Sequence, residues 1–425
     1  MKTVKIRRQT PQNNSYFLFS LLFLLSPLLL LGQESHNWNK LILEQGHHAD
    51  NFGKSVAVSG DYAIVGAWTE DEKGPEAGAA YIFQKDAATE SWQLSQKLTA
   101  SDGAAFHNFG ATVLIQGEWA VVGAHGHSQF AGAVYLFRQE NDRWIEFKKL
   151  TARDRAKSDF FGSSLAMSGG RVIVGAYGDD NGGKNTGAVY IFEQNEGGKD
   201  HWGERAKLTS GDNGHRDHFG ISIATDGEII VVGADGNNRR GSFYVFNEVA
   251  GNWRADLQVF ASDGAIKDRF AHSLAISGDY IVAGADRCDA KTGAVYIFER
   301  HLGGANNWGE VLKIRPVDGM AGDCFGKQIG LDGPFLIVGS EGNQQKQGAA
   351  YIYRLDKDRD QWKMFDKLMA EDGLPNDLFG ASLAVQEKNV WVGAFQANAT
   401  GGMYTINLQD KPELAAKGEK GLRRE

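Results

Sequence analysis

Proline is scarce in this chain, with seven residues in 425, and cysteine is scarcer still, with two. Two cysteines exclude a disulfide-dense scaffold and a structural zinc site built from cysteine alone, so the fold must be held by its core. Basic residues do not predominate. The formal net charge is −8, which leaves no basic stripe of the kind nucleic acid requires. The sequence also lacks a G-x-S-x-G elbow, an H-E-x-x-H pair and a phosphate loop, so no catalytic residue is assigned and no cofactor is implied. Beyond residue 32 no stretch sustains a 3.6-residue apolar period, which argues against a helical fold.

Glycine, in contrast, is abundant at 54 residues, and aromatics make up 11%. Many glycines with many aromatics and few prolines indicate short strands joined by tight turns. The start of the chain differs from the rest. Lys2, Lys5, Arg7 and Arg8 form a basic head, and residues 16–31 are almost wholly apolar. That run is short for a membrane span, which needs roughly 20 residues. Residues 1–32 therefore read as a signal peptide with cleavage near Gly32–Gln33, and an uncleaved anchor is the alternative. The mature chain is then expected outside the cell or on its surface, without a membrane span.

The strongest signal is internal repetition, and a missed period misreads a whole fold. One unit recurs seven times: a Phe, a Gly-Ala step, then a Gly-x-x-Tyr step. The Phe residues are Phe52, Phe109, Phe161, Phe219, Phe270, Phe325 and Phe379. The Gly of the second step follows each by 14 residues, at Gly66, Gly123, Gly175, Gly233, Gly284, Gly339 and Gly393. Tyr81, Tyr135, Tyr190, Tyr244, Tyr296, Tyr351 and Tyr404 complete the third step. Length varies only between these steps, as fixed strands with elastic loops require.

Within a unit, residues 52–60 alternate as a strand, residues 61–67 return after a short polar turn, residues 78–83 give a third strand and residues 92–98 a fourth. Four strands per unit and seven units predict an all-β, seven-bladed propeller of four-stranded antiparallel blades over residues 33–410. The seventh unit stops before its fourth strand. The Lys40–Gly46 segment matches Lys97–Gly103, so residues 36–43 are expected to complete the last blade, with Trp38 out of register. Residues 411–425 read as a disordered charged tail.

At Phe52-Gly53 with Val65-Gly66-Ala67, and at Phe161-Gly162 with Val174-Gly175-Ala176, the sequence resembles the FG-GAP repeat family, which includes the propeller of integrin α subunits. The resemblance covers residues 36–407. It implies a seven-bladed propeller at a cell surface or outside the cell, engaged in adhesion or partner binding. The Asp-rich calcium loops of many members are not present: the corresponding segments shrink to Ser59–Tyr62, Gln116–Trp119 and Ser168–Arg171. These cannot supply the six to eight oxygens that calcium takes. The chain is therefore similar to the short-hairpin bacterial form.

Candidate sites each have a structural counter-reading. Asp50, Asp159, Asp217, Asp268, Asp323 and Asp377 lie two residues before the Phe, with His107 in that place in the second unit. Asp102, Asp154, Asp212, Asp263, Asp318 and Asp372 lie seven before it. An acidic ring for cations or a basic partner is one reading, and Asx-turn chemistry is the other. Recurrence in nearly every unit favours structure, because a site needs asymmetry. Asp179, Asp180 and Asn181 form the most metal-like loop, and His125, His127, His47 and His48 supply imidazoles without a carboxylate partner fixed by spacing. Ser55, Thr112, Ser164, Ser222, Ser273 and Ser382 read as small filler rather than nucleophiles. Cys288 and Cys324 fall on one face, one blade apart, as either a disulfide or two free thiols. Asn398-Ala399-Thr400 is a glycosylation sequon if the host glycosylates.

The function expected is a non-catalytic binding, adhesion or scaffolding module for an extracellular protein or glycan. One alternative is a hydrolase or lyase with its site in the axial funnel, marked by converging carboxylates or histidines. Another is a structural part of a surface assembly.

Overall fold

The computed structural model describes residues 38–408, except 44–45, 181, 213, 357 and 360, together with the backbone strand Val4–Arg8. The apolar run of residues 16–31, the expected cleavage position and the expected charged tail of residues 411–425 lie outside the described residues. Seven antiparallel sheets follow the seven repeats. In blade 1 the strands Phe52–Ser59, Tyr62–Ala67, Ala79–Lys85 and Trp92–Leu98 pair in chain order. Blade 7 takes Ser382–Gln386, Asn389–Ala394 and Gly402–Asn407 from the end of the chain and Asn39–Leu43 from its beginning. Asn39, Lys40 and Leu41 face Thr405, Tyr404 and Met403, so the ring is closed by the expected segment. Val4–Arg8 pairs with the outer edge of Asn39–Leu43 and makes this sheet five-stranded.

The inner strand departs from the sequence reading at its first residue. It starts at the Phe in blades 1 and 4, but three residues later in blade 2 (Thr112–Gln116) and blade 3 (Ser164–Ser168). The Gly after the Phe has a left-handed φ, 89° at both Gly110 and Gly162, which bulges the chain out of the ladder. The Phe instead bridges the preceding blade: Phe109 pairs in parallel with Gly78, and Phe52 with Gly401.

All seven repeat Phe side chains are fully buried. Each meets the Tyr of its own blade edge-on, with ring centroids between 5.3 Å (Phe270–Tyr296) and 5.7 Å (Phe52–Tyr81). Burying one such Phe contributes about 1.5–3 kcal/mol, and the edge contact adds about 0.5–1.5 kcal/mol. The apolar clusters lie between blades rather than within them. One joins Leu41, Trp391 and Met403 of blade 7 to Phe52, Val65 and Tyr81 of blade 1. Trp38, out of register in the sequence, packs edge-on to both Phe379 and Tyr404. A single blade has no such core, so the ring is the folding unit.

The hydroxyl ring read as filler has a more specific part. Ser55 Oγ donates to the Gly110 carbonyl at 2.8 Å, Thr112 to Gly162 at 2.6 Å and Ser164 to Gly220 at 2.7 Å, always from one blade to the next. Ser382 donates to Gly53 at 2.7 Å and carries the series across the closure. Ser382→Ala should cost about 1–3 kcal/mol, because a buried carbonyl loses its donor. Calorimetry should show a lower melting temperature, and an unchanged one would contradict this role.

The candidate functional site at the axial mouth

Residues that recur in every blade are spent on the fold. In blade 2, Asp102 accepts hydrogen bonds from Tyr135 Oη and Lys149 Nζ, both at 2.6 Å. Asp154 is clipped in the same way by Tyr190 and Lys207, Asp263 by Tyr296 and Lys313, and Asp318 by Tyr351 and Lys367. In blade 7 the lysine is Lys40, 2.5 Å from Asp372, so the closing strand restores the clip as well as the sheet. Blade 4 puts Gln258 in place of the lysine, bonded to Tyr244. The Asp two before the Phe turns back on its own loop: Asp50, Asp268, Asp323 and Asp377 accept the backbone N–H three residues upstream at 2.7–2.9 Å. Both acidic rings are therefore turn and clip chemistry.

These clips imply an acid sensitivity. Burial pushes the Asp102, Asp154, Asp263, Asp318 and Asp372 carboxyls up, but the lysine and tyrosine bonds outweigh it and hold all five below the usual carboxylate range. A depressed folded-state pKa gives stability that is present above the unfolded value, about 3.9, and is lost as pH falls through the folded value. The melting temperature should therefore fall below about pH 4. The clips are half-exposed, so each is worth little alone. Replacing Lys149, Lys207 and Lys313 with Met should flatten the acid limb, and an unaltered limb would exclude the clips as its cause.

The metal-like loop is committed elsewhere. Asp179 is buried and bonded to Tyr190 at 2.7 Å and Lys207 at 2.9 Å. Asp180 accepts the Asn185 N–H at 2.7 Å, and Asn181 lies outside the described residues. Among the described residues no three His, Cys, Asp or Glu side chains are placed to hold a metal. Cys288 and Cys324 are unbonded in this structure. Cys288 occupies the blade-5 counterpart of Asp179, with Lys313 Nζ 3.5 Å from its sulfur, while the Cys324 thiol donates to the Gly322 carbonyl. The His127 ring lies 4.5 Å from that of His107, tilted by 57°, and contacts Lys149.

Several positions of the unit vary from blade to blade, and one of them begins the loop after the second strand. Two residues after the Gly of the second step stand Trp68, His125, Tyr177, Asp235, Asp286, Glu341 and Phe395. The inner strands surround the axis and enclose a cavity of about 440 Å³, which three of these residues reach. Trp68, His125 and Tyr177 line it together with Lys54, His272 and Gln328, and Val56, Val113, Leu165, Ile223 and Leu383 form its apolar wall. One arc is aromatic. Trp68 faces His125 at 6.0 Å, His125 faces Phe160 at 6.1 Å, and Phe160 stacks flat on Tyr177 at 5.0 Å and 7°. Burial, with the Lys54 ammonium nearby, pushes the His125 imidazole down to about 4, so it is a neutral ring at physiological pH.

The other arc is charged. Asp235 accepts from His218 at 2.9 Å, His272 at 3.0 Å and Arg269 Nε at 2.8 Å. Burial opposes its ionisation, but these donors hold the carboxyl far below the usual range. Arg269 Nη1 also lies 3.4 Å from Asp286, and Lys327 is paired with Glu341. Sequence reasoning quoted the variable loops that begin at Trp68 and Tyr177 and picked out His125 as a possible ligand, but it did not single out Asp235, Asp286, Glu341 or Phe395. The signal was available: these are the variable columns in an otherwise fixed register.

A ring of interlocked blades whose fixed register carries variable residues at the axial mouth is a propeller of the binding or scaffolding class. The FG-GAP repeat profile matches residues 37–83, 92–137, 144–192, 202–246, 253–298, 308–353 and 362–406. The chain belongs to the FG-GAP repeat family. No curated protein matches it. Among solved structures it is similar to a candidate 6-phosphogluconolactonase of Bacteroides fragilis, with TM-score 0.54, 12% identity, and coverage of 76% of this chain and 85% of that one. A second such protein, from Bacteroides uniformis, gives 0.55, 10%, 76% and 86%. A Lactobacillus plantarum protein gives 0.50, 14%, 76% and 86%. At these identities the likeness is one of fold alone.

Proposed function

We propose that this chain is an exported binding module, without chemistry of its own, that takes an extracellular protein or glycan at the axial mouth. The observation that carries this reading is the asymmetry of one column. Six of the seven blades place an Asp seven residues before the Phe, whereas the column facing the axis divides into an aromatic arc and a charged arc. The basic head and apolar run before residue 33 support export. The test is capture of surface proteins and glycans by residues 33–425, with wild type beside Trp68→Ala/Tyr177→Ala. The double variant should lose about tenfold or more in affinity, as removal of aromatic anchors typically does. Full capture by the double variant would move the site elsewhere. Export predicts a new N-terminus near Gln33, read by N-terminal sequencing of the secreted protein.

Catalysis at the same mouth is favoured by one observation, the convergence of Asp235, His218 and His272 within hydrogen-bond reach. Against it, Arg269 bonds the same Asp235 oxygen that His272 approaches, which leaves neither a free general base nor an uncommitted acid there. Turnover of a captured ligand that disappears in Asp235→Asn would establish the catalytic reading instead.

A further inference from the structure

Lys54 differs from the lysines that clip the blades. Lys40, Lys149, Lys207, Lys313, Lys327 and Lys367 each hold a carboxylate. The Lys54 ammonium instead lies 4.9 Å from the centroid of Phe395 and 5.5 Å from that of Trp68, with no carboxylate or carbonyl bonded to it among the described residues. It is half-buried and lines the axial cavity. The nearby cation, Lys327, is already neutralised by Glu341. A desolvated ammonium held by aromatic faces alone is short of an anion.

The surroundings restrict what that anion is attached to. Trp68 and the neutral His125 ring offer flat apolar faces at the cavity mouth. Gln328 breaks the hydroxyl ring and lines the cavity. A phosphate would call for several charged donors or an Arg fork, but Arg269 is committed to Asp235 and Asp286. The Asp and Glu side chains of an acidic peptide carry the charge but no broad apolar face to lay on Trp68. A pyranose carboxylate has all three features: an apolar ring face, one negative charge and hydroxyls.

Resting on the axial-mouth reading above, we propose that the mouth binds a uronic-acid residue of a glycan, with its ring on Trp68, its carboxylate on Lys54 and its hydroxyls within reach of Gln328.

The experiment is calorimetric titration of residues 33–425 with oligomers of galacturonate, mannuronate and guluronate, each beside its carboxyl-reduced neutral form, and with poly-glutamate. At least one uronate should bind about tenfold or more tighter than its reduced form. Lys54→Met should abolish that difference, Lys54→Arg should keep it, and Trp68→Ala should weaken both forms, with melting temperatures unchanged. Equal affinity for acid and reduced forms would overturn the carboxylate assignment while leaving the mouth as the site, provided Trp68→Ala still weakens both. Binding indifferent to Lys54→Met, poly-glutamate bound as tightly as the uronate, or no uronate bound at all would each overturn the proposal. In these three cases the capture experiment decides separately whether the mouth is the site.

Discussion

A chain of residues 46–425 should lose cooperative unfolding, or melt on the order of 10 °C or more below a chain of residues 33–425. The deletion removes the outer strand of blade 7 and leaves the edge of Gly402–Asn407 unpaired. It also strips the buried Leu41 and Leu43 from the cluster shared by blades 7 and 1, each worth about 1.5–3 kcal/mol. The Lys40–Asp372–Tyr404 clip and the Trp38 contacts with Phe379 and Tyr404 go with it. Their sum approaches the whole stability of an ordinary domain, about 5–15 kcal/mol. Differential scanning calorimetry reads this directly. A synthetic peptide covering residues 36–45, added in excess, should restore much of the lost transition. A truncated chain that melts like the parent would mean that the N-terminal strand is not the closure.

The second large effect is expected at a glycine. A methyl group on Gly66 would sit inside van der Waals contact of the Gly110 carbonyl and the Ser55 hydroxyl, where blades 1 and 2 meet. The obstacle is the backbone of the next blade rather than a side chain that can swing away. Gly66→Ala should therefore cost roughly 3 kcal/mol or more, at the upper end of overpacking effects. Gly169→Ala is the control: nothing lies within 4 Å, and its φ of +59° leaves only a conformational cost of about 1 kcal/mol. Urea midpoints of the two variants should separate clearly, whereas equal midpoints would mean that blade spacing is not set by this contact.

The fold was legible because its determinants are periodic. Seven Phe and seven Tyr residues at fixed offsets announce the blades, and Lys40 aligned with Lys97 announces the closure, since a clip needs its lysine wherever the chain supplies it. The start of the inner strand was less legible: Gly110 and Gly162 pass for ordinary strand residues until their φ is known. The hydroxyl ring was located but undervalued. Its acceptors, such as Gly110 for Ser55, lie in the next blade, and that proximity exists only once the ring closes. The site was hardest to read for the opposite reason. Attention to what repeats leads to structural residues such as Asp102 and Asp50, while Trp68, Tyr177 and Asp235 share a column without sharing a residue type. Lys54 is equally silent in sequence, because a lysine in a strand reads as solvated surface until its aromatic neighbours are in place.

The division between residues that build the ring and residues that serve a ligand is tested most directly by one paired measurement. Single alanine variants at Trp68, His125, Tyr177 and Phe395 are compared with Phe variants at the clip tyrosines Tyr135, Tyr190 and Tyr296 for melting temperature and for capture of the ligand found with the wild type. The mouth variants lie outside the apolar clusters between blades, so they should melt within about 2 °C of wild type and lose capture. The clip variants should melt earlier and keep capture. Mouth variants that melt early yet hold the ligand, beside clip variants that stay stable and release it, would contradict the account.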